Sequence, residues 1–190
     1  MIKAKAYRND VEALLIKNFS CVGYRLTEAV KVDTVPENSQ YEALKFSLNG
    51  KRIVYRKGKV TPGRPGAFLS VWQRPILEAG NGNKPIPLKS DELDYLFIQV
   101  ECESDRGLFI FPVATLKEKG IVSSAHKKGK TGFRVFPPWT QDRGIVGTKV
   151  FSESGKKTQR WQLPYFIGID KDGSIDAGEL AKLTLPDYAV

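Results

Sequence analysis

The chain has 190 residues, of which 41% are hydrophobic and 11% aromatic, and its formal net charge is +9. This length and composition predict a single folded domain over residues 1–190 and exclude a disordered protein. The two cysteines, Cys21 and Cys102, are too few for a disulfide framework. The amino terminus is charged, and no apolar run reaches the roughly 18–20 residues of a membrane span. We therefore expect a soluble, cytoplasmic protein.

Several catalytic chemistries lack the residues that they need. His126 is the single histidine, so a histidine-rich metal site cannot form and a catalytic triad would depend on this one side chain. The glycine motifs of phosphate-binding and dinucleotide-binding loops are missing from the sequence. The segment 168–179 has the spacing of a calcium loop, but Gly168 stands at the first ligand position. Asp176 as a helix cap, with Glu179 in a capping box, explains the same residues, and we predict no metal and no cofactor.

The first predicted elements are a helix and a hairpin. Apolar residues at helical spacing predict a helix over residues 9–19, with Asn9 as its cap. Residues 20–40 are expected to be irregular or weakly helical. A hairpin is predicted over residues 41–59, because Asn49-Gly50 accepts the positive φ values of a tight turn. Its second strand would direct Ile53 and Tyr55 to one face and Arg52, Val54 and Arg56 to the other.

The later part of the chain is read as strands interrupted by short helices. The predicted elements are a rigid loop over 61–66, a strand over 67–74, a long connection over 75–92, buried strands over 95–102 and 107–112, a short helix over 113–120, a strand over 132–137 and a helix over 156–168. Pro164 lies inside the last of these helices. Together they predict an α+β fold, a mixed and mostly antiparallel sheet flanked by helices.

The positive charge is concentrated in two segments. Residues 41–74 hold eight basic side chains and one acidic one, and residues 125–161 hold nine basic and two acidic ones. The same segments carry aromatic residues, which suits contact with phosphates combined with stacking on bases. The pattern favours nucleic acid as a partner. The sequence leaves open whether that partner is DNA or RNA and whether the protein is an oligomer.

Four ordered sequence blocks carry a family resemblance. They read YEALKFSLNGKRIVYRKGKVTPGRPGAF with VWQR, GLFIFPVATLKEKGIVS, KGKTGFRVFPPW and KTQRWQLPYF. In these blocks, which span residues 40–168, the chain resembles the MepB-like family, small bacterial proteins often encoded beside a drug-efflux transporter. The resemblance implies a fold similar to restriction-endonuclease domains of the PD-(D/E)xK type, and it implies DNA or RNA binding.

Active nucleases of that fold hold Mg²⁺ with two carboxylates and place a lysine two residues after an acid on one strand. No lysine in this sequence has Asp, Glu or Gln two residues before it. We therefore predict a protein that is not an enzyme. If the chain is a nuclease, its rearranged site would use Glu42, Glu101 and Glu103 together with Lys59.

The leading hypothesis is largely sequence-independent binding of nucleic acid without catalysis, with DNA as the expected partner. Alternatives are a metal-dependent nuclease with a rearranged site and an interaction protein accessory to a multidrug-efflux system. Trp161 is expected to be the most exposed of the tryptophans. The residues predicted to contact nucleic acid are Lys45, Arg56, Lys57, Lys59, Arg74, Lys127, Lys128, Lys130, Arg134, Lys156, Lys157, Gln159, Arg160 and Trp161.

Overall fold

A six-stranded mixed sheet forms the centre of the protein in a computed structural model that describes residues 2–33, 35–74, 84–147 and 149–184. Within these ranges the α-helices are α1 (Ile2–Phe19), α2 (Val113–Glu118), α3 (Glu153–Gln162) and α4 (Ala177–Thr184). The strands are β1 (Leu26–Val32), β2 (Leu44–Leu48), β3 (Lys51–Lys57), β4 (Lys59–Thr61), β5 (Arg64–Ser70), β6 (Trp72–Gln73), β7 (Ile86–Pro87), β8 (Tyr95–Cys102), β9 (Asp105–Pro112), β10 (Gly132–Val135) and β11 (Phe166–Gly168). Short 3₁₀ helices lie at Ser20–Val22, Pro36–Tyr41 and Leu163–Tyr165.

The main sheet has the strand order β1-β2-β3-β8-β9-β11, and two smaller sheets have the orders β10-β5-β4 and β6-β7. Each neighbouring pair in the main sheet is antiparallel, except β3 and β8, which are parallel. A parallel pair requires a long crossover, and the chain between residues 58 and 94 supplies it. The predicted α+β class, with a mixed and mostly antiparallel sheet flanked by helices, is confirmed.

Apolar side chains cover both faces of the main sheet, because strand residues alternate between faces. On one face, Leu15 and Phe19 of α1 pack with Tyr55 and with Phe97, whose ring lies 5.5 Å from that of Phe19. On the other face, Phe111 belongs to a second cluster that includes residues of β5, α2 and β10. The sheet is therefore sandwiched between α1 with α4 on one side and the smaller three-stranded sheet with α2 on the other.

The hairpin of β2 and β3 matches its prediction. Asn49 and Gly50 have φ values of 47° and 77°, so both turn residues occupy the left-handed region that this turn requires. The strands predicted over 95–102, 107–112 and 132–137 appear as β8, β9 and β10, and the predicted short helix appears as α2. Of the predicted connection over residues 75–92, residues 75–83 lie outside the described residues.

Helix α1 begins about two turns earlier than predicted, at Ile2, so Asn9 is not its cap. The segment before Asn9 is rich in alanine, lysine and arginine, which favour helix. Tyr7 is buried and lies one turn before Val11 on the face that packs against the sheet. The apolar stripe thus extends into the segment that we read as preceding the helix.

Residues 20–40 contain strand β1, which the sequence did not reveal. Among its side chains only Val30 is fully buried, and two register shifts interrupt its pairing with β2. An edge strand that is exposed on most of its length lacks the apolar alternation on which strand prediction depends.

The helix predicted over 156–168 is shorter and is displaced toward the amino terminus. Ser152 caps α3, since its side chain accepts a hydrogen bond from the Gly155 amide at 3.1 Å. The helix ends at Gln162, a 3₁₀ turn contains Pro164, and β11 follows. Proline ends the helix because it has no amide hydrogen and disfavours helical geometry in the residue before it.

The carboxyl-terminal segment forms the predicted turn and helix. Gly173 has a φ of 81°, and its amide donates to the carbonyl of Asp170 at 2.9 Å. Asp176 Oδ1 accepts from the Glu179 amide at 2.8 Å, which caps α4. Glu179 itself pairs with Lys182 at 2.6 Å. No helix in the described part of the chain is long and apolar enough to cross a membrane.

Candidate nucleic-acid interface

A groove of about 520 Å³ lies between α3 and β10, and we call it the basic groove. Its charged lining residues are Lys119, Lys130 and Arg134, and none of the described residues that line it is acidic. Ser152, Ser154 and Thr158 add side-chain hydroxyl groups to the wall formed by α3. The groove therefore combines positive charge with hydrogen-bond donors, as an anion-binding surface requires.

A compact loop holds three lysines beside the groove. Gly129 lies against the backbone of residues 121–123, where a Cβ atom would come within 2.5 Å of the Ser123 nitrogen, so the loop depends on glycine here. The side chains of Lys127, Lys128 and Lys130 are exposed, and they form no ion pair with any described residue. Their charges remain available for an external anion.

Helix α3 contributes its exposed face to the same region. Lys157 and Arg160 are exposed and form no ion pair with the residues that the structure describes. Lys156 pairs with Glu153 at 3.1 Å, and Gln159 donates to the carbonyl of Pro137 at 3.0 Å. Of the four residues predicted here, two are free and two are already engaged in contacts within the protein.

Trp161 lies between the core and the groove. It is half-buried, its ring centroid lies 5.5 Å from that of Phe111, and it lines the basic groove. The ammonium of Lys119 lies 5.7 Å from the ring centroid, a cation–π contact. The side chain thus belongs to the second core cluster on one side and has Lys119 on the other.

The structure contradicts the prediction that Arg56 contacts phosphate. Arg56 is fully buried on β3, where it pairs with Asp33 at 3.1 Å and donates to the carbonyl of Tyr55 at 2.9 Å. Burial lowers the pKa of Arg56 to about 10, although Asp33 opposes this shift. Arg56 remains charged at neutral pH and is a structural residue.

Two further arginines are held by contacts within the fold. Arg134 donates to the Thr61 hydroxyl at 2.7 Å, and its pKa is lowered by burial and by neighbouring Arg64. Arg74 pairs with Glu37, and its guanidinium lies 5.3 Å from the Trp72 ring centroid. Arg134 still lines the groove, whereas Arg74 does not.

Two of the predicted lysines lie away from the groove. Lys45 is exposed on β2, a strand whose neighbours are β1 and β3. Lys59 donates to Gln40 Oε1 at 3.4 Å and lies 5.9 Å from the Tyr41 ring centroid. Neither residue lines the basic groove, so the predicted surface is divided between separate parts of the protein.

Two of the predicted carboxylates meet at a lysine that was assigned to phosphate contact. Lys57 Nζ lies 2.5 Å from Glu101 Oε1 and 3.5 Å from Glu42 Oε1, and we call these three residues the carboxylate–lysine cluster. Burial alone would lower the pKa of Lys57, but its bonds to the two glutamates raise it above the usual value. The ammonium group is therefore charged at neutral pH and neutralises much of the glutamate charge.

The cluster lies in a cleft of about 480 Å³ between α1 and the carboxyl ends of the parallel strands β3 and β8, the α1 cleft. Asp10 and Gln99 also line this cleft. The hydroxyl of Tyr7 is buried and has no hydrogen-bond partner in the described part of the protein. Burial raises the pKa of Tyr7, and Glu42 acts in the same direction, so the hydroxyl stays protonated.

Sequence reasoning missed the role of Lys57 because it searched for an acid two residues before each lysine. Tyr55 stands at that position, and both side chains face α1. The second carboxylate comes instead from Glu101 on the adjacent parallel strand, where Lys57 is paired with Gln99 in register. A search for an acid on a neighbouring strand would have found Glu101, but only if the pairing of β3 with β8 had been known beforehand.

The other two residues of the suggested nuclease site do not join the cluster. Glu103 is an exposed turn residue between β8 and β9 with a φ of 53°. Lys59 contacts Gln40 and pairs with neither glutamate, but it lines a surface depression together with all three residues of the cluster. Within the described ranges, no group of three or more His, Cys, Asp or Glu side chains is arranged to hold a metal ion.

Comparisons with known proteins identify the family of the chain. The MepB-like family matches residues 35–168. A solved structure described as the crystal structure of MepB shares 33% identity, covers 75% of this chain and 88% of that chain, and superposes with a TM-score of 0.62. The bacterial homing endonuclease I-Ssp6803I shares 14% identity over 68% of this chain and 82% of its own, with a TM-score of 0.36. No curated protein matches the chain.

The matched segment contains the hairpin of β2 and β3, the parallel strand β8 and helix α3, so it includes both the carboxylate–lysine cluster and the basic groove. The resemblance inferred from the four sequence blocks is confirmed over nearly the same range. The chain belongs to the MepB-like family.

Proposed function

We propose that the protein binds nucleic acid through phosphate contacts that are largely independent of sequence. The observation that carries the proposal is the basic groove, where every charged residue of the described lining is cationic. Lys127 and Lys128 on one side and Lys157 and Arg160 on the other extend this charge over the surrounding surface. Contacts of this kind position a nucleic acid without reading its bases.

The salt dependence of binding tests the proposal quantitatively. Five cationic side chains in the groove and on the adjoining loop and helix form no ion pair with described residues: Lys127, Lys128, Lys130, Lys157 and Arg160. Lys119 lines the groove but pairs with Glu118 at 2.7 Å. If each of the five neutralises one phosphate, log affinity should fall against log salt with a slope of about −4.5 for duplex and about −3.5 for single strands. Fluorescence anisotropy with labelled DNA and RNA oligonucleotides measures this slope and compares the two kinds of nucleic acid.

A triple variant identifies the surface that binds. Replacing Lys127, Lys128 and Lys130 by serine should reduce the magnitude of the duplex slope by roughly 3. A control variant with Lys31, Lys45 and Lys182 replaced by serine removes the same charge from exposed positions outside the groove. Equal slopes for the two variants, or wild-type binding that is insensitive to salt, would show that the groove is not the binding surface.

A second candidate function is cleavage of nucleic acid by a metal-dependent site. The convergence of Glu42, Lys57 and Glu101 in the α1 cleft favours this alternative. The cluster offers two carboxylates whose charge is taken up by the lysine ammonium, so the side chains as arranged do not suit a divalent cation. We therefore derive no metal-dependent step from them.

The test for cleavage separates the two candidates. Labelled DNA and RNA are incubated with the protein in the presence of Mg²⁺ or Mn²⁺, and the products are resolved on denaturing gels. Fragments that disappear with both Glu42→Gln and Glu101→Gln would establish a nuclease. Intact substrate with both metals, together with salt-dependent binding, would leave the binding function alone.

A further inference from the structure

A further pocket, of about 250 Å³, opens between the hairpin of β4 and β5, the end of β8 and the segment 137–145. We call it the Trp139 pocket. Val60 and Ile145 line it and are 40% and 72% exposed. Exposed apolar side chains around a depression are typical of a surface that receives a ligand.

Trp139 supplies an aromatic wall to this pocket. Its ring meets that of Phe166 edge to face, with the centroids 5.5 Å apart and the planes at 77°. The side chain is half-buried, so part of the indole faces the pocket while the contact with Phe166 fixes its orientation. A fixed and partly exposed indole is a platform on which a planar aromatic group can stack.

Two arginines give the pocket a preference for an anionic ligand. Arg64 and Arg143 both line it, both are exposed, and neither pairs with a carboxylate in the described ranges. Of the two acidic residues in the lining, Glu101 is neutralised by Lys57, and Glu103 is exposed at the hairpin turn. The carboxylate of Glu103 can accept hydrogen bonds from the amino group of a base.

The Trp139 pocket adjoins the α1 cleft. Glu101 lines both, because it projects from the end of β8 at the boundary between them. A ligand with an aromatic ring against Trp139 would therefore extend its next groups toward the carboxylate–lysine cluster.

We propose that the Trp139 pocket receives one unstacked nucleobase of a single-stranded nucleic acid, with Arg64 and Arg143 contacting the neighbouring phosphates. This inference rests on the proposed function and specifies its ligand. A base inside a duplex is stacked and paired, and freeing it costs a few kcal/mol. The protein should therefore bind single strands more tightly than duplexes of the same length at the same salt concentration.

Anisotropy measurements with three variants test the proposal. Stacking of a base on an aromatic side chain contributes about 1–3 kcal/mol, so Trp139→Leu should weaken single-strand binding roughly 5- to 150-fold. Duplex binding, which uses the basic groove, should be unchanged. Trp72→Leu removes the same kind of side chain outside the pocket and should alter neither affinity. If Trp139→Leu does not fold, as judged by circular dichroism, the double variant Arg64→Ser/Ile145→Ser replaces it, since both side chains are exposed.

Crosslinking locates the base directly. A single strand that carries 5-iodouracil is irradiated on the protein, and the modified tryptic peptide is identified by mass spectrometry. Modification within residues 135–143, which contain Trp139, is expected. Modification of the peptide that begins at Trp161 would overturn the inference. A Trp139→Leu variant, or the double variant that replaces it, would also overturn the inference if it binds single strands as tightly as the wild type does.

The outcomes distinguish this inference from the proposed function. If the wild-type protein binds duplex and single strand equally, with the magnitude of the salt slope reduced in the lysine triple variant, the proposed function stands and the base pocket is wrong. If the wild-type protein binds neither at low salt, both are wrong.

Discussion

Replacing Asp33 by asparagine should be strongly destabilising because it disrupts a buried charge pair. Asp33 Oδ2 accepts hydrogen bonds from Arg56 at 3.1 Å and from the Asn38 side chain at 3.3 Å. Asparagine keeps one oxygen for the Val35 amide, which donates to Oδ1 at 3.0 Å. Its amino group would then face two donors, and the guanidinium of Arg56 would lose its counter-charge.

The size of the effect follows from burial. The side chain of Arg56 is 0% exposed and that of Asp33 is 7% exposed, so water cannot replace the lost partner. Removing one partner of a buried ion pair costs about 3–5 kcal/mol. For a domain of this size, each kcal/mol lowers the Tm by roughly 2–4 °C, so a fall of roughly 6–20 °C is expected.

Urea denaturation and thermal unfolding, followed by tryptophan fluorescence, measure this loss. The matched control is Asp94→Asn, whose partner Arg52 has a side chain that is 52% exposed. An exposed pair contributes about 1 kcal/mol or less, so the control should lose no more than about 4 °C. The double variant Arg56→Met/Asp33→Leu should be more stable than Asp33→Asn, because it leaves no unpaired charge. The reasoning is refuted if the control and Asp33→Asn lose the same stability.

Three further predictions concern the site and the fold around it. Lys57→Met removes the ammonium group that pairs with Glu42 and Glu101, so this variant should bind Mn²⁺, as measured by calorimetry, and Mn²⁺ should raise its thermal stability. A wild-type protein that binds Mn²⁺ equally well would contradict the role assigned to Lys57. The pKa of Lys57 is raised in the folded state, so the stability that the cluster contributes is fully present below the unfolded pKa of about 10.4 and is lost as pH rises above that value. Urea titrations from pH 9 to 11 should show this loss in the wild type and not in Lys57→Met. Gly66 has a φ of 73°, and a Cβ atom there would lie 2.5 Å from the carbonyl oxygen of Val135. Gly66→Ala should therefore lower the free energy of unfolding, measured by urea denaturation, by at least about 1–3 kcal/mol. In the control Gly50→Ala the added Cβ meets nothing within 4 Å, and the loss should be smaller.

Local signals in the sequence predicted the centre of the sheet. The hairpin of β2 and β3 depends on the Asn49-Gly50 turn, and β8 and β9 are continuous apolar runs that only burial on both faces explains. Elements at the edge of the sheet gave weaker signals. Strand β1 has one fully buried residue, so its existence depends on pairing with β2 and could not be read from its own composition.

The candidate site was harder to predict because its residues meet across strands. On β3, Arg56 and Lys57 are adjacent in sequence and were assigned the same role, but the strand directs them to opposite faces of the sheet. Arg56 lies on the face opposite α1, where it is buried and pairs with Asp33, whereas Lys57 faces α1 and pairs with Glu101. Strand alternation predicts that the two side chains lie on opposite faces. It does not predict their partners, which depend on the pairing of β3 with β8 and on the position of the segment before β2.

The two basic segments therefore have different physical roles, although the sequence gives them similar charge. In the first, four of the eight positive groups form ion pairs within the described ranges: Arg52 with Asp94, Arg56 with Asp33, Lys57 with Glu42 and Glu101, and Arg74 with Glu37. In the second, Lys127, Lys128, Lys130, Lys157 and Arg160 form no ion pair with described residues. A paired charge contributes little field beyond its partner, whereas unpaired charges of one sign add together over a surface. Neutralising substitutions of the paired residues in the first segment should therefore lower stability, and those of the unpaired residues in the second should lower affinity for nucleic acid while leaving the fold intact.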